Sequence, residues 1–425
     1  YHQLIWTPSD AQGLSPMQHL TEGMMQSAQD SVELALGLVG VMAFFLGLMK
    51  VAEAGGLLNL ISRVVRPLMV RLFPDVPGDH PAMAAMVLNI SANAMGLGNA
   101  ATPFGLRAMQ ELDKLNPEKG TASNAMVLFL AINTSSVTLL PTGVIALRAA
   151  AGSHDPAGIL GTTLFATFCS TAVAVIAAKA YQRFSPQVRC ADLSFVAKAA
   201  PSEPDASAAF ADDGSSHSLP RGEGSKPPSV VGAYLALGIL FAMIPLAIMY
   251  GKAVGPWVVP GLTVVLLGFG MARGVKIYEV FVEGAKEGFQ IAVKIIPFLV
   301  AILVAVGMFR SSGAMAVLTG VLGPVTAKLA LPAEVLPMAL LRPLSGSGAY
   351  ALLAELINNP AIGPDSYIGY LASTIQGSTE TTFYVLAVYF GSVQVRRTRH
   401  ALAAGLTADL AGVIASVAAC AYVFG

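Results

Sequence analysis

Four polar clusters interrupt a chain that is otherwise largely aliphatic, and their side chains set the chemistry open to it. Asn89, Ser91, Asn93, Asn99 and Thr102 lie in NISANAMGLGNAAT, with Gly96 and Gly98 loosening the backbone between them. Asn133, Thr134, Ser135 and Ser136 form a second cluster, followed by Thr138 and Pro141. Arg342, Ser345 and Ser347 stand in RPLSGSGAY, and Gln376, Ser378, Thr379, Glu380 and Thr381 in QGSTETT. Amides and hydroxyls both donate and accept hydrogen bonds, so these clusters suit recognition of a hydroxylated or heterocyclic solute without ion pairing. Freed backbone carbonyls, together with Glu380, suit Na⁺ or H⁺. Glu380 and Asp409 are lone charges within apolar runs; such groups are costly in lipid and should face protein or water. Both are candidates for coupling or gating. Arg342 is a candidate partner for a substrate anion, with tethering of helix carbonyls as the structural alternative.

Covalent chemistry finds no support in these patterns. The six histidines are scattered without HxxxH-type pairing. Cys169, Cys190 and Cys420 are a sparse, odd set that gives neither a disulfide framework nor a thiolate metal site. GLGNA at 96–100 lacks the spacing and the preceding strand of a dinucleotide loop. The expectation is a protein that is not an enzyme and uses no cofactor and no metal centre. The same Ser, Thr, Asn and Gly residues often serve only close helix packing within a membrane. A structural or regulatory membrane scaffold is therefore the rival reading, and a passive channel or lipid-translocating protein a third.

Composition dictates the surroundings of these clusters. Of 425 residues, 55% are hydrophobic and only 12% charged, about half the charge of a soluble domain. Too little charge remains to coat a water-facing surface, so the lipid bilayer is the expected environment. Net charge is zero, which argues against nucleic acid, whose phosphates need a basic face. Spanning hydrocarbon takes roughly 20 apolar residues as a helix. Val32–Met49, Ala125–Leu147, Ala157–Ala178, Val231–Tyr250, Val254–Ala272, Ile291–Phe309, Tyr367–Phe390 and Ala401–Phe424 supply eight such runs. Pro81–Gly105 and Pro337–Leu356 are apolar but crowded with helix breakers, so they read as two re-entrant hairpins or broken helices lining a cavity. Gly55–Phe73 and Gly313–Leu331 are short and amphipathic and are expected along the interface.

The stretch 184–229 holds six prolines and nine serines and reads as a disordered linker. It divides the chain into membrane halves at 1–183 and 230–425. Signals recur between them in order: Pro81 with Pro337, Ser91 with Ser347, and Ile132–Ser136 with Ile375–Thr379. Lys and Arg favour cytoplasmic loops. Arg63, Arg66 and Arg71 face only Lys328 in the counterpart loop, whereas Arg396, Arg397 and Arg399 face Arg148 alone. The alternation predicts an all-α membrane protein of two inverted-topology repeats. The linker is then cytoplasmic and the C-terminus periplasmic. Broken elements of two inverted halves can share a midplane site that opens to either side, which favours a transporter or gated pathway.

MVLNISANAMGLGNAATPFGLRAMQEL at 86–112 and FLAINTSSVTLLPTGVIALR at 129–148 resemble the spore maturation protein A family. VFVEGAKEGFQIAVKIIPFLV at 280–300, LRPLSGSGAYALLAELI at 341–357 and GPDSYIGYLASTIQGSTETTFYVLAVYFGSV at 363–393 resemble the B family. The chain is thus similar to a fusion of an A-like half and a B-like half, covering nearly everything outside the linker. The resemblance implies the nucleoside-recognition or gate-domain superfamily, with kinship to nucleoside carriers and to the gate of bacterial ferrous-iron transporters. It implies a multi-pass protein of the bacterial inner membrane and a small polar, nucleoside-like solute with H⁺ or Na⁺ coupling. It also leads one to expect a further helix ahead of Tyr1, the counterpart of Val254–Ala272. A homodimer is common among such carriers.

Overall fold

The computed structural model describes residues 15–96, 101–136, 138–184, 259–313 and 329–425, with single residues between these stretches. Among the described residues the fold is helical, with one isolated bridge between Thr121 and Arg397. Residues 1–14, the 184–229 linker beyond Phe184, Val231–Tyr250 apart from Gly238, Asn99 and most of Gly313–Leu331 lie outside the described residues.

The first helix, α1 (Pro16–Ala54), opens on a reciprocal cap: the Ser15 hydroxyl accepts from Gln18 N, and Gln18 Oε1 accepts from Ser15 N at 2.8 Å. It ends at Gly55-Gly56, where φ of +86° at Gly56 suits a residue without a Cβ. There the chain bends by 71° into α2 (Leu57–Leu72). Arg63, Arg66 and Arg71 on α2 are exposed while Leu58 and Met69 are buried, so the helix is amphipathic as its sequence predicts. Next come α3 (Pro81–Ala94), α4 (Thr102–Lys114), α5 (Asn124–Ser135), α6 (Thr142–Ala150) and α7 (Leu160–Tyr181). Beyond the linker lie α8 (Val259–Ala272), α9 (Ile277–Ser311), α10 (Leu336–Leu341) and α11 (Gly346–Asn358). The chain closes with α12 (Tyr367–Ser378), α13 (Thr382–Ser392) and α14 (Ala401–Phe424).

Two of these, α7 with its short extension and α14, are long and apolar enough to cross a membrane as single helices; a bent pair spanning Val39–Leu72 makes a third. Two of the eight expected crossings are not continuous. Ala125–Leu147 divides into α5 and α6, and Tyr367–Phe390 into α12 and α13. The reason is local. Ser136 leaves the helix at φ +43°, and Thr379 and Thr381 are extended. Both apolar, breaker-rich stretches take the helix–break–helix form, as α3–α4 and α10–α11.

Long helices pair through small residues. Along α9, a Cβ on Gly284 would meet Leu46 O and Lys50, one on Gly288 would meet Ala43, and one on Gly307 would meet Ser27. The partner number falls as α9 advances, so α1 and α9 run antiparallel. Gly284 and Gly288, four apart, let the backbones approach closely. The α7–α14 pair is antiparallel too: Ser170 Oγ donates to Ala408 O, and Tyr181 OH lies 3.1 Å from Thr407 Oγ1. Between these pairs, α5 packs on α7 and α14 while α12 packs on α14 and α7. The arrangement is preserved when the two halves are exchanged.

Arginines stitch the loops of one half to the helix starts of the other. Arg148, fully buried, donates to Pro364 O at 2.6 Å, Asp365 Oδ1 at 3.0 Å, Pro156 O and Asp155 O, and lies over the Tyr370 ring. Reciprocally, Arg399 donates to Ala122 O at 3.0 Å and Asn124 Oδ1 at 2.8 Å at the start of α5. Ala122 N and Gly120 O complete that seam with Arg397 O, Arg396 N and Arg397 N. At Asp365 partial burial opposes ionisation, but bonds from Ser153 and His154 and the charge of Arg148 outweigh it, holding the carboxyl below the ordinary range. A folded-state value below the unfolded one contributes stability that is present above the unfolded value and lost as pH falls.

Two outcomes follow from this packing. Gly288→Val should lower the unfolding midpoint, at an overpacking cost of about 1–3 kcal/mol, whereas Gly391→Ala, with nothing within 4 Å of its Cβ, should be neutral or mildly stabilising. Arg148→Lys keeps the charge but cannot serve so many acceptors in the geometry of the guanidinium. It should therefore destabilise by several kcal/mol, approaching the roughly 3–5 kcal/mol of breaking a buried pair, in thermal unfolding of purified protein.

Candidate functional site

Each broken helix is set in register by its start. Ser123 Oγ accepts from Met126 N at 3.3 Å to cap α5, and Ser366 Oγ accepts from Gly369 N at 3.0 Å to cap α12. Twelve residues later each helix runs out. Breaks free backbone groups that hydrocarbon cannot satisfy, and hydroxyls crowd there. Thr134, Ser135 and Ser378 donate back to Ala131 O, Ile132 O and Ile375 O at 3.0, 2.9 and 3.1 Å. Thr167 on α7 donates to Ser136 O. Ser135 Oγ bonds Thr171 Oγ1 on α7 at 3.0 Å, and Ser378 Oγ lies 3.3 Å from Ser416 Oγ on α14. The two breaks meet directly: Glu380 N donates to Thr134 O at 2.8 Å.

On one side of this crossing sits an amide cluster. Asn133 Oδ1 accepts from Asn93 Nδ2 at 3.0 Å and from Tyr389 OH at 3.4 Å, while Asn133 Nδ2 donates to Phe129 O. Asn89 Nδ2 donates to Ala101 O at 2.9 Å and to Tyr389 OH at 3.2 Å. These bonds tie the α3–α4 hairpin to α5 and α13.

On the other side is a charged cluster. Arg342, only 4% exposed, donates to Thr381 Oγ1 at 3.0 Å and to Thr379 O, and lies 3.7 Å from Glu380. It holds the extended link 379–381 against the start of α11, where a Cβ on Gly346 would reach Thr381 Oγ1 at 2.5 Å. Ser345 caps α11 through Gly348 N at 3.0 Å, and Ser347 is half-buried in the first turn. Asp409 is 4% exposed and accepts from Thr382 Oγ1 at 2.7 Å.

Most of the expected residues therefore converge. Asn89, Asn93, Asn133, Thr134, Ser135, Arg342, Gln376, Ser378, Thr379, Glu380, Thr381 and Asp409 lie at or beside the crossing. Ser91 does not; it turns to Ser62 on α2 at 3.1 Å. Thr102 occupies the half-buried first turn of α4. Sequence reasoning missed Tyr389, the knot of the amide cluster, which no spacing marks. It also missed Thr163, Thr167 and Thr171, although their four-residue spacing along an apolar helix is a legible stripe. Five buried polar atoms around the crossing lack a protein partner: Asn89 Oδ1, Thr163 Oγ1, Arg342 Nε, Gln376 Oε1 and Asp409 Oδ1. Buried polar groups are nearly always bonded in native proteins, and these five are gathered at one place in the fold.

The chain is a multi-pass helical membrane protein, and it belongs to the nucleoside-recognition (Gate) family, whose model matches residues 35–151 and 292–396, just over half of the chain. Those two stretches carry the two hairpins and the two broken helices. Each half has its own relative in Bacillus subtilis strain 168. Spore maturation protein A is 44% identical over 179 residues, which are 41% of this chain and 91% of the relative. Spore maturation protein B is 48% identical over 167 residues, 39% of this chain and 93% of the relative. The chain thus joins an A-type and a B-type unit. A solved structure of CNTnw in an outward-facing state aligns over 99% of this chain and 88% of that one, at 12% identity and a TM-score of 0.47.

Tyr389→Phe should cost about 1–3 kcal/mol, because Asn89 and Asn133 lose a shared partner inside the protein. Chemical unfolding of the detergent-solubilised protein, followed by tryptophan emission or helical circular dichroism, checks this.

Proposed function

We propose that this chain carries a small polar solute across the bacterial inner membrane, with the crossing of its two broken helices as the binding place. The observation that carries the reading is the contact between the breaks. Glu380 N meets Thr134 O, with unpartnered amide and hydroxyl groups gathered around it. A purely structural use of those side chains would be expected to satisfy them within the protein. The family description, nucleoside recognition, makes a nucleoside-like solute the first to test, and the donor set of Asn, Gln, Ser and Thr fits hydroxyls and ring nitrogens.

Antiparallel pairing of α1 with α9 and of α7 with α14 supports two inverted repeats, at 1–183 and 230–425 around a cytoplasmic linker and with a periplasmic C-terminus. Eight crossings and two re-entrant hairpins complete that topology. Rocking of one half on the other would then expose the crossing to either side in turn. Coupling to H⁺ or Na⁺ belongs to this reading, with Glu380 and Asp409 as its candidates.

Purified protein in liposomes should bind and exchange labelled nucleosides. A concentration-dependent rise in unfolding temperature would report the ligand that binds the folded state. Asn133→Ala combined with Gln376→Ala should abolish exchange while leaving the protein folded. Undiminished exchange in that variant, or no binding and no flux across nucleosides, amino acids, dicarboxylates and metal ions, would overturn the proposal.

A further inference from the structure

We infer that Asp409 binds one proton at the crossing of the breaks, and that Glu380 does not share this task. The inference rests on the transport reading for its purpose but on separate geometry for its substance. Asp409 lies midway along α14, the last helix, and is 4% exposed. One carboxyl oxygen accepts from Thr382 Oγ1 at 2.7 Å; the other has no partner. Small residues one turn to either side bring it onto both breaks. A Cβ on Gly405 would meet Thr382 and Thr134, and one on Gly412 would meet Thr379 and Ser170.

Among the described residues no cation lies within salt-bridge distance of this carboxyl. Arg342 and Glu380 are the charged groups that act on it, one attracting and one repelling, and Arg342 is held by Glu380, Thr379 O and Thr381. Of the helices packed against α14, α5 carries no titratable side chain, and α12 and α13 carry only Tyr367 with Tyr370 and Tyr384 with Tyr389. On α7 stand Cys169 in mid-helix, Lys179 in the last turn and Tyr181, whose hydroxyl is bonded to Thr407. An uncompensated carboxylate among apolar groups is penalised by several kcal/mol, and a proton on the free oxygen removes the charge without moving a helix. The transfer is a simple one: a solvent proton adds to Oδ1 when the crossing is wet, and returns to solvent from there. Glu380 differs, since its side chain is 44% exposed and has Arg342 beside it.

The test uses the full chain and Asp409→Asn, which keeps the size and can still accept from Thr382. Difference infrared spectra on a step from mildly acidic to mildly alkaline buffer should show loss of one protonated-carboxyl band in the wild type. That band should be missing from Asp409→Asn and retained in Glu380→Gln. In liposomes, Asp409→Asn should lose accumulation driven by a pH gradient. A band that survives Asp409→Asn, or accumulation that follows a sodium gradient and ignores pH, would overturn the inference. Wild-type exchange without any such band would overturn it while leaving transport standing. The band without wild-type exchange would overturn the transport reading and leave the proton site in place.

Discussion

Backbone polar groups cannot be left unmet at membrane depth, and this fold depends on how two interrupted helices meet that demand. A straight helix satisfies itself; α5 and α12 stop halfway and cannot. Their ends are closed by their own hydroxyls, by Thr167 on α7, and by one another through Glu380 N and Thr134 O. The long helices that flank them, α7 and α14, are correspondingly rich in hydroxyls and glycine on the inner side. Thr163, Thr167, Ser170 and Thr171 face the breaks from α7, and Gly405, Gly412 and Ser416 from α14. Small and polar residues there permit close approach and answer the loosened backbone at the same time.

The same constraint explains why the halves interlock. Helix α5 belongs to the first half, yet its start is held by Arg399 of the second; α12 belongs to the second and its start is held by Arg148 of the first. Both helices are almost wholly buried against α7 and α14, and the arginines fix the position of their starts. Guanidinium suits the task because its five donors can serve several carbonyls in one plane. Arg148 does so with backbone acceptors from two loops and a tyrosine face.

Much of this was legible from residue types. The breaks at 133–141 and 376–381 announce themselves by polar runs in apolar surroundings, and the hairpins by glycine and proline. The meeting of Glu380 with Thr134 is in keeping with the recurrence of Ile132–Ser136 in Ile375–Thr379. Continuity of the spans was not. Hydropathy over 125–147 and 367–390 averages across the interruption, so a window long enough to detect a crossing hides the break within it. Tyr389 was invisible for another reason: its role depends on a hydroxyl reaching across from α13 to Asn89 and Asn133, and only tertiary packing sets that distance. Arg148 looked like a loop cation, because nothing local in the sequence shows that the partner loop 363–366 folds over it.

Strengths of the contacts determine where such a molecule yields. The break-to-break contact is a single neutral hydrogen bond, worth about 0.5–1.5 kcal/mol net, and beside it lie groups with no partner to lose. The arginine anchors lie at the far ends of α5 and α12, roughly 18 Å away for twelve helical residues. Each anchor holds several charge-assisted hydrogen bonds, worth about 1.5–3 kcal/mol apiece. The contact between the breaks is therefore weaker than the anchors at the helix starts. Weak contacts at the centre and strong ones at the ends place the compliance of the fold where its polar side chains are gathered.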